Sequence, residues 1–296
     1  MTQTAVALGT FDGLHLGHKA VIACTLSKKE RGLIPFVMLF DSHPLLTLTG
    51  SAPPVILQDD LRDERIRETG AEIEYISFSE IKNYTPEEFF EKIIVGRLHA
   101  GCVCCGENYT FGKDGAGDCR LLSGLCTDAG IEFNSVPLVY CDFRPVSSSR
   151  IREALVSGNI VKANEMLGNE FAYRSEVKSG FQRGRLMGAP TVNQYFPEGF
   201  CVPEYGVYAS AAVIDGREYP SVTNIGIRPT FEDSDLRSET CIIDFDGNLY
   251  GKNVEIRLID RIRDEMRFNS AEALGAQIKR DAEKSARIFE KRNKNV

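Results

Sequence analysis

The sequence predicts an α/β N-terminal unit with a doubly wound parallel sheet, then a small antiparallel β-barrel unit with a C-terminal helix. Three observations carry this. Over the first half, short apolar runs alternate with helix-like runs, the pattern of β-α units and a parallel sheet with helices on both faces. Beyond about residue 170 the strand-like runs are separated by turns and none is followed by a helix, as in an antiparallel sheet or barrel. The 296 residues exceed one typical domain, so two are expected, 1–169 and 170–296.

Taken in order, "TAVALG" reads as a buried strand and "GHKAVIACTLSKKE" as the helix after it. "IPFVMLF" is a continuous apolar run, as a strand covered on both faces requires. "LQDDLRDERIRETG" is a polar helix closed by Gly70, a C-cap glycine. "AEIEYISF" is the third strand. In "TPEEFFEKIIVGRL" Thr85 is the N-cap, Pro86 the first helical residue and Glu88 completes a capping box. "AGCVCCG" is the fourth strand, "DCRLLSGLCTDAG" a helix, and "IEFNSVPLVY" follows. "SSSRIREALVSGNIVKANEMLG" reads as helical up to Gly168. The barrel strands are "AYRSEVK", "GVYASAAVI", "SVTNIGI", "ETCIIDF" and "KNVEIRLIDRI". The final helix carries Leu274, Ile278, Ala282 and Phe289 at helical spacing, which predicts an apolar face packed on the barrel.

Hydrophobic content of 43% and charged content of 26% describe a soluble globular chain. The net charge of -7 argues against general capture of nucleic acid. No apolar run approaches the roughly 18 residues of a membrane span, and the N-terminus lacks a signal-peptide pattern, so a cytoplasmic protein is expected. Nine cysteines is an odd number, and they read as reduced thiols. Cys102 and Cys105 form one Cys-x-x-Cys pair, but Cys119 and Cys126 lack the paired spacing of a zinc site. Oligomeric state is not legible.

The stretch "GTFDGLHLGH", Gly9 to His18, lies between the first strand and the first helix. Glycines at that junction bring free backbone N–H groups together, and the helix dipole adds positive charge, which suits a phosphate. His15 and His18 are three apart and can face one way, as hydrogen-bond donors to polyphosphate. Asp12 suits fixing the turn or a metal. Spacing alone leaves two readings open, a phosphate site and a tight turn with surface histidines. "FDSHP", "GENYTFG" and "VSSSRIR" follow at the same sheet edge, where ligands of such sheets bind. The serines of the last are natural N-caps, and with Arg150 and Arg152 they also suit a second phosphate contact.

"GTFDGLHLGH" with "SSSRIR" resembles the His-x-Gly-His nucleotidyltransferase superfamily, and "FDGLHLGH" with "YTFG" resembles its FAD synthetase branch. The resemblance implies transfer of AMP from ATP to FMN with release of pyrophosphate and no covalent protein intermediate. It implies that His15 and His18 hold the ATP phosphates, with Gly9, Phe11, Asp12 and Gly17 around them. Ser147, Ser148 and Arg150 would hold the triphosphate from the other side, and Asn108, Phe111, Phe40 and His43 would line the flavin and adenine pocket.

In the second half "SGFQRGRLMGAPTVNQYF" is glycine-rich, which lets backbone approach a ligand closely. Thr191 and Asn193 lie two apart and point one way on an extended segment, suited to Mg²⁺; a glycine-rich turn is the other reading. This stretch with "NIGIRPTF", "SETCIIDFDGNLYG" and "RIRDEMRFNS" resembles the riboflavin kinase family. The resemblance implies phosphorylation of riboflavin from Mg-ATP, with Thr191 and Asn193 on the metal, Gly180, Gly184 and Arg185 on ATP, and Glu239 as general base. The family usually has Phe and Ala at Ala189 and Val192 and His at Cys241, so an altered pocket lining is implied. The alternatives are an FAD synthetase with a silent kinase half, and a non-catalytic flavin-binding or regulatory protein.

Overall fold

A computed structural model describes residues 3–178, 191–229 and 234–294. The chain contacts divide into two units: Met1–Pro53 with Asp59–Ser148, and Pro54–Gln58 with Ser149–Val296.

The first unit is built on five parallel strands: β1 (Thr4–Leu8), β2 (Ile34–Phe40), β3 (Glu72–Ile76), β4 (Ala100–Gly106) and β5 (Glu132–Val136). Their order is β3-β2-β1-β4-β5, and all neighbours run parallel. The chain therefore reverses its direction of winding beside β1, which puts the switch point at the carboxyl ends of β1 and β4. All five residues of β1 are buried, as the apolar run requires. Besides the short helices Pro44–Thr49 and Phe78–Ile81, the first unit has α1 (Leu16–Leu26), α2 (Asp59–Glu68), α3 (Pro86–Phe89) continuing as a π-helical stretch (Phe90–Arg97), and α4 (Cys119–Asp128). The Thr85–Glu88 capping box is formed from both sides, at 3.2 and 3.1 Å. Val6, Leu8, Met38, Ile76, Phe89, Ile94, Val103 and Leu122 fill the core, each contributing about 1.5–3 kcal/mol by its burial. Cys102, Cys104 and Cys105 are buried thiols on β4.

In the second unit the expected single helix ending at Gly168 is two helices, α5 (Ser148–Val156) and α6 (Ile160–Leu167). Gly158 takes φ 74°, a left-handed turn a helix interior cannot hold, and the Asn159 side chain caps α6 by accepting from Lys162 N at 3.2 Å. Six antiparallel strands follow: β6 (Phe171–Glu176), β7 (Thr191–Tyr195), β8 (Gly206–Ile214), β9 (Arg217–Pro229), β10 (Ser234–Ile242) and β11 (Asn253–Arg263). Their order is β6-β11-β8-β9-β10-β7. The sheet curls until its outer strands meet at the Lys178–Asn193 bridge.

The last helix, α7 (Ala271–Lys294), packs on β8, β9 and β11 as expected, but its deepest contacts are polar. Leu274 is 37% exposed, whereas Asp281 is 3% exposed and Ser285 is fully enclosed. Arg263 donates to Asp281 Oδ2 through Nη2 at 2.8 Å and Nε at 3.1 Å, and Ser285 Oγ donates to Ser221 O at 2.5 Å. Losing one partner of such a buried ion pair costs about 3–5 kcal/mol, so this helix is fixed by registry of charges as much as by apolar area.

Candidate active site

In the first unit β1 runs into a tight turn, Asp12–Leu14, before α1 begins. Phe11 and Leu14 hold left-handed backbone, φ 52° and 46°, a conformation of order 1–3 kcal/mol unfavourable for residues with side chains. Full burial of Phe11 is what keeps it there. The turn delivers His15 in extended backbone as the N-cap of α1, where its Nδ1 accepts from His18 N at 3.3 Å. The two imidazoles stack, with ring centres 3.6 Å apart and planes 13° apart, and Phe11 lies 5.2 Å from the His18 ring. A Cβ at Gly17 would come within 3.1 Å of the His15 ring, so a larger residue there would disturb the stack.

Burial pushes the His15 pKa down to about 4, against a weaker upward pull from its backbone hydrogen bond. Burial, then the charge of His15, holds His18 well below the usual imidazole range. Both rings are therefore neutral at neutral pH. Because His15 Nδ1 accepts a hydrogen bond, its proton sits on Nε2, where it can be donated outward. His18 Nδ1 is enclosed and without a hydrogen-bond partner. The sign of the pH effect follows from the lowered values. Above pH 6.5 neither folded nor unfolded chain protonates His15; between 6.5 and about 4 only the unfolded chain does. Stability contributed by neutral His15 is thus complete above 6.5 and lost as pH falls, by roughly 3 kcal/mol over that window. Urea midpoints at pH 7.5 and 5 should differ more in the native chain than in His15→Gln; equal differences would contradict the burial of a neutral ring.

A cavity of about 540 Å³ opens beside this turn. Gly9, His15, Gly17, His18, Phe40, Asn108, Phe111, Ser147 and Ser148 line it. Ser148 Oγ donates to Asp12 O at 3.2 Å, which ties the serine run to the turn. Tyr109 and Phe111 stack at 6.1 Å, and Phe40 meets Phe78 edge-on at 5.2 Å. Polar groups thus lie toward α1 and aromatic walls toward the β2 and β4 ends. Phe11 and Asp12 sit beneath the lining, in the turn. His43 caps the short helix Pro44–Thr49, accepting from Leu45 N at 3.2 Å, while Pro44 and Leu48 of that helix line the cavity. Tyr109, Phe78 and Leu48 were not read from the sequence as lining residues. Arg150 lies on α5, in the second unit.

In the second unit the cross-strand register assembles a second group. Asn193 pairs with Glu239, and Glu239 pairs with Asn224. Thr191 pairs with Cys241, and Tyr195 with Arg237, which pairs with Gly226. Directly opposed residues share a face of the sheet, so Thr191, Asn193, Glu239, Asn224 and Arg237 form one polar patch. Asn193 is 7% exposed. Arg237 Nη2 lies 3.5 Å from Glu239 Oε1, and Asn224 Nδ2 donates to Glu265 Oε1 at 3.5 Å. Asn224 and Arg237 were missed because only register brings them beside Glu239. A hydroxyl, an amide oxygen and a carboxylate on adjoining strands are hard oxygen donors of the kind Mg²⁺ takes. Gly180, Gly184, Arg185, Gly188 and Ala189 lie outside the described residues.

Sheet order, cavity and barrel define the class of this protein: a doubly wound α/β unit with a ligand-sized cavity, joined to an antiparallel β-barrel unit. The FAD synthetase family matches residues 1–150 and the riboflavin kinase family matches residues 167–289. Bifunctional riboflavin kinase/FMN adenylyltransferases of Bacillus subtilis and Escherichia coli (strain K12) are 34% and 32% identical. The matches cover 97% and 96% of this chain, and 93% and 92% of those proteins. A solved structure described as a macrolide-efflux protein from Streptococcus pneumoniae shares the fold, with TM-score 0.87 and 31% identity over 96% of this chain and 94% of that one. Among the described residues no helix is long and apolar enough to cross a membrane. The chain belongs to the bifunctional riboflavin kinase/FMN adenylyltransferase family.

Proposed function

We propose that this chain makes FMN from riboflavin and ATP and then FAD from FMN and ATP, with residues 1–169 carrying the adenylyl transfer and 170–296 the phosphorylation. The stacked, neutral His15–His18 pair at the start of α1, facing an aromatic-walled cavity, is the observation that carries the reading. In the adenylyl transfer an FMN phosphate oxygen attacks the α-phosphorus of ATP, and pyrophosphate leaves. The protein supplies position and charge stabilisation rather than a nucleophile. His15 and His18 donate to the phosphates from the positive end of α1, within the turn formed by Gly9, Phe11, Asp12 and Gly17. Ser147, Ser148 and Arg150 contact the triphosphate, and Phe40, His43, Asn108 and Phe111 shape the flavin and adenine pocket.

In the kinase reaction the terminal ribityl hydroxyl of riboflavin attacks the γ-phosphorus, and ADP leaves. Glu239 accepts the hydroxyl proton. Thr191 and Asn193 would hold Mg²⁺, which neutralises phosphate charge when bound. Gly180, Gly184 and Arg185 contact ATP. The substrates riboflavin, FMN and ATP are small molecules, and the cytoplasm is the site of action.

The direct test is to incubate the pure protein with riboflavin, ATP and Mg²⁺ and separate the flavins by chromatography. FMN should rise first and FAD should follow it. FAD formed only from supplied FMN would mean a silent kinase half. Flavin bound without conversion would mean a regulatory protein.

A further inference from the structure

We infer that Arg237 is a positioning residue for the kinase reaction, holding the Glu239 carboxylate where it meets the attacking hydroxyl. The inference rests on Glu239 being the general base. Arg237 lies two residues before Glu239 on β10, so both side chains leave the same face of the sheet. It is 8% exposed, its Nη2 reaches Glu239 Oε1 at 3.5 Å, and its Nε is enclosed with no hydrogen-bond partner.

That is a poor arrangement for stability. A charge-assisted hydrogen bond between a guanidinium and a carboxylate is closer to about 2.8 Å, with two parallel contacts where the fork is used. A buried cation with an idle donor carries a desolvation penalty that such a long contact does not return. The register sets its neighbours: Arg237 faces Gly226, where the Glu265 carboxylate takes the place of the missing side chain, and Tyr195 on the other strand. Glu239 itself is flanked by the Asn193 and Asn224 amides, neutral groups that can hydrogen-bond a carboxylate but do not anchor it by charge. Arg237 is a cation that the sheet brings against Glu239. A long, partly satisfied contact suits a carboxylate that must also turn toward a substrate hydroxyl.

The test compares Arg237→Met, Arg237→Lys, Glu239→Gln and the Arg237→Met/Glu239→Gln double variant in the full chain. Misplacing a base by about 1 Å can cost on the order of 100-fold. Arg237→Met should therefore lower kcat for FMN formation by roughly ten- to a hundred-fold, with KM for riboflavin and ATP unchanged. Its urea midpoint should hold or rise, since an apolar chain of similar length replaces a poorly paired buried cation. Arg237→Lys should recover part of the rate. In the Glu239→Gln background Arg237→Met should add no further loss, because the two act as one unit. Adenylylation of supplied FMN should be unchanged throughout. A native kcat in Arg237→Met, an additive loss in the double variant, or a raised KM for ATP at native kcat would each overturn the role of Arg237. A lowered midpoint matching the lost rate would make Arg237 a structural residue and overturn it too. Full kinase activity in Glu239→Gln would instead overturn the base assignment beneath it, a separate failure.

Discussion

His18→Ala should lower FAD formation from FMN and ATP by about 10²–10³-fold, the cost of removing one donor aimed at developing phosphate charge. The position makes this a clean substitution. His18 is in the first turn of α1, and alanine is the best helix former, so the helix keeps its backbone. The His18 N–H that His15 Nδ1 accepts belongs to the main chain and survives the change. What disappears is a neutral imidazole stacked at 3.6 Å on its neighbour at the edge of the cavity. Because His18 is held neutral by its burial, its loss removes a hydrogen-bond donor and not a fixed charge. Initial rates at saturating FMN and ATP measure the effect. FMN formation from riboflavin should be unchanged and reports on the integrity of the second unit. Native FAD formation in His18→Ala would remove the histidine from the reaction.

The parts of this molecule legible in the sequence are those fixed locally. Parallel strands buried on both faces must be continuously apolar, and "TAVAL" and "IPFVMLF" could be little else. The Thr85–Glu88 capping box is likewise written in four residues. The break at Gly158 was also present locally, as Gly-Asn within a helical pattern, yet helical spacing on either side of it outweighed the signal. The polar face of α7 could not be read, because Asp281 is buried by pairing with Arg263, eighteen residues earlier, as well as with Gln277 of its own helix. The same holds for the polar patch of the second unit. Asn193, Asn224 and Glu239 come from three strands, and nothing in their separate segments fixes the register that aligns them. The histidine turn was readable because both imidazoles sit at the start of one helix, at its N-cap and in its first turn; the left-handed backbone of Phe11 that aims it was not.

Glu239→Ala should produce the opposite loss: FMN formation falls by about 10²–10⁴-fold, the usual contribution of a positioned general base, while adenylylation of supplied FMN continues at the native rate. The substitution does two things at once. It removes the proton acceptor, and it leaves the Arg237 guanidinium buried without its carboxylate, which costs stability as well as rate. Glu239→Gln separates them, since it keeps the volume and a hydrogen-bonding oxygen while abolishing the base. If proton acceptance is the role, both variants lose the kinase rate by similar factors, but the urea midpoint drops further in Glu239→Ala than in Glu239→Gln, whose amide oxygen can still accept from Arg237. If the side chain served only to accept a hydrogen bond from Arg237, Glu239→Gln would retain most of the rate. A Glu239→Ala chain that phosphorylated riboflavin at the native rate would exclude Glu239 from the chemistry. Native FMN adenylylation in the same preparation would then show that the residue and not the fold had been tested.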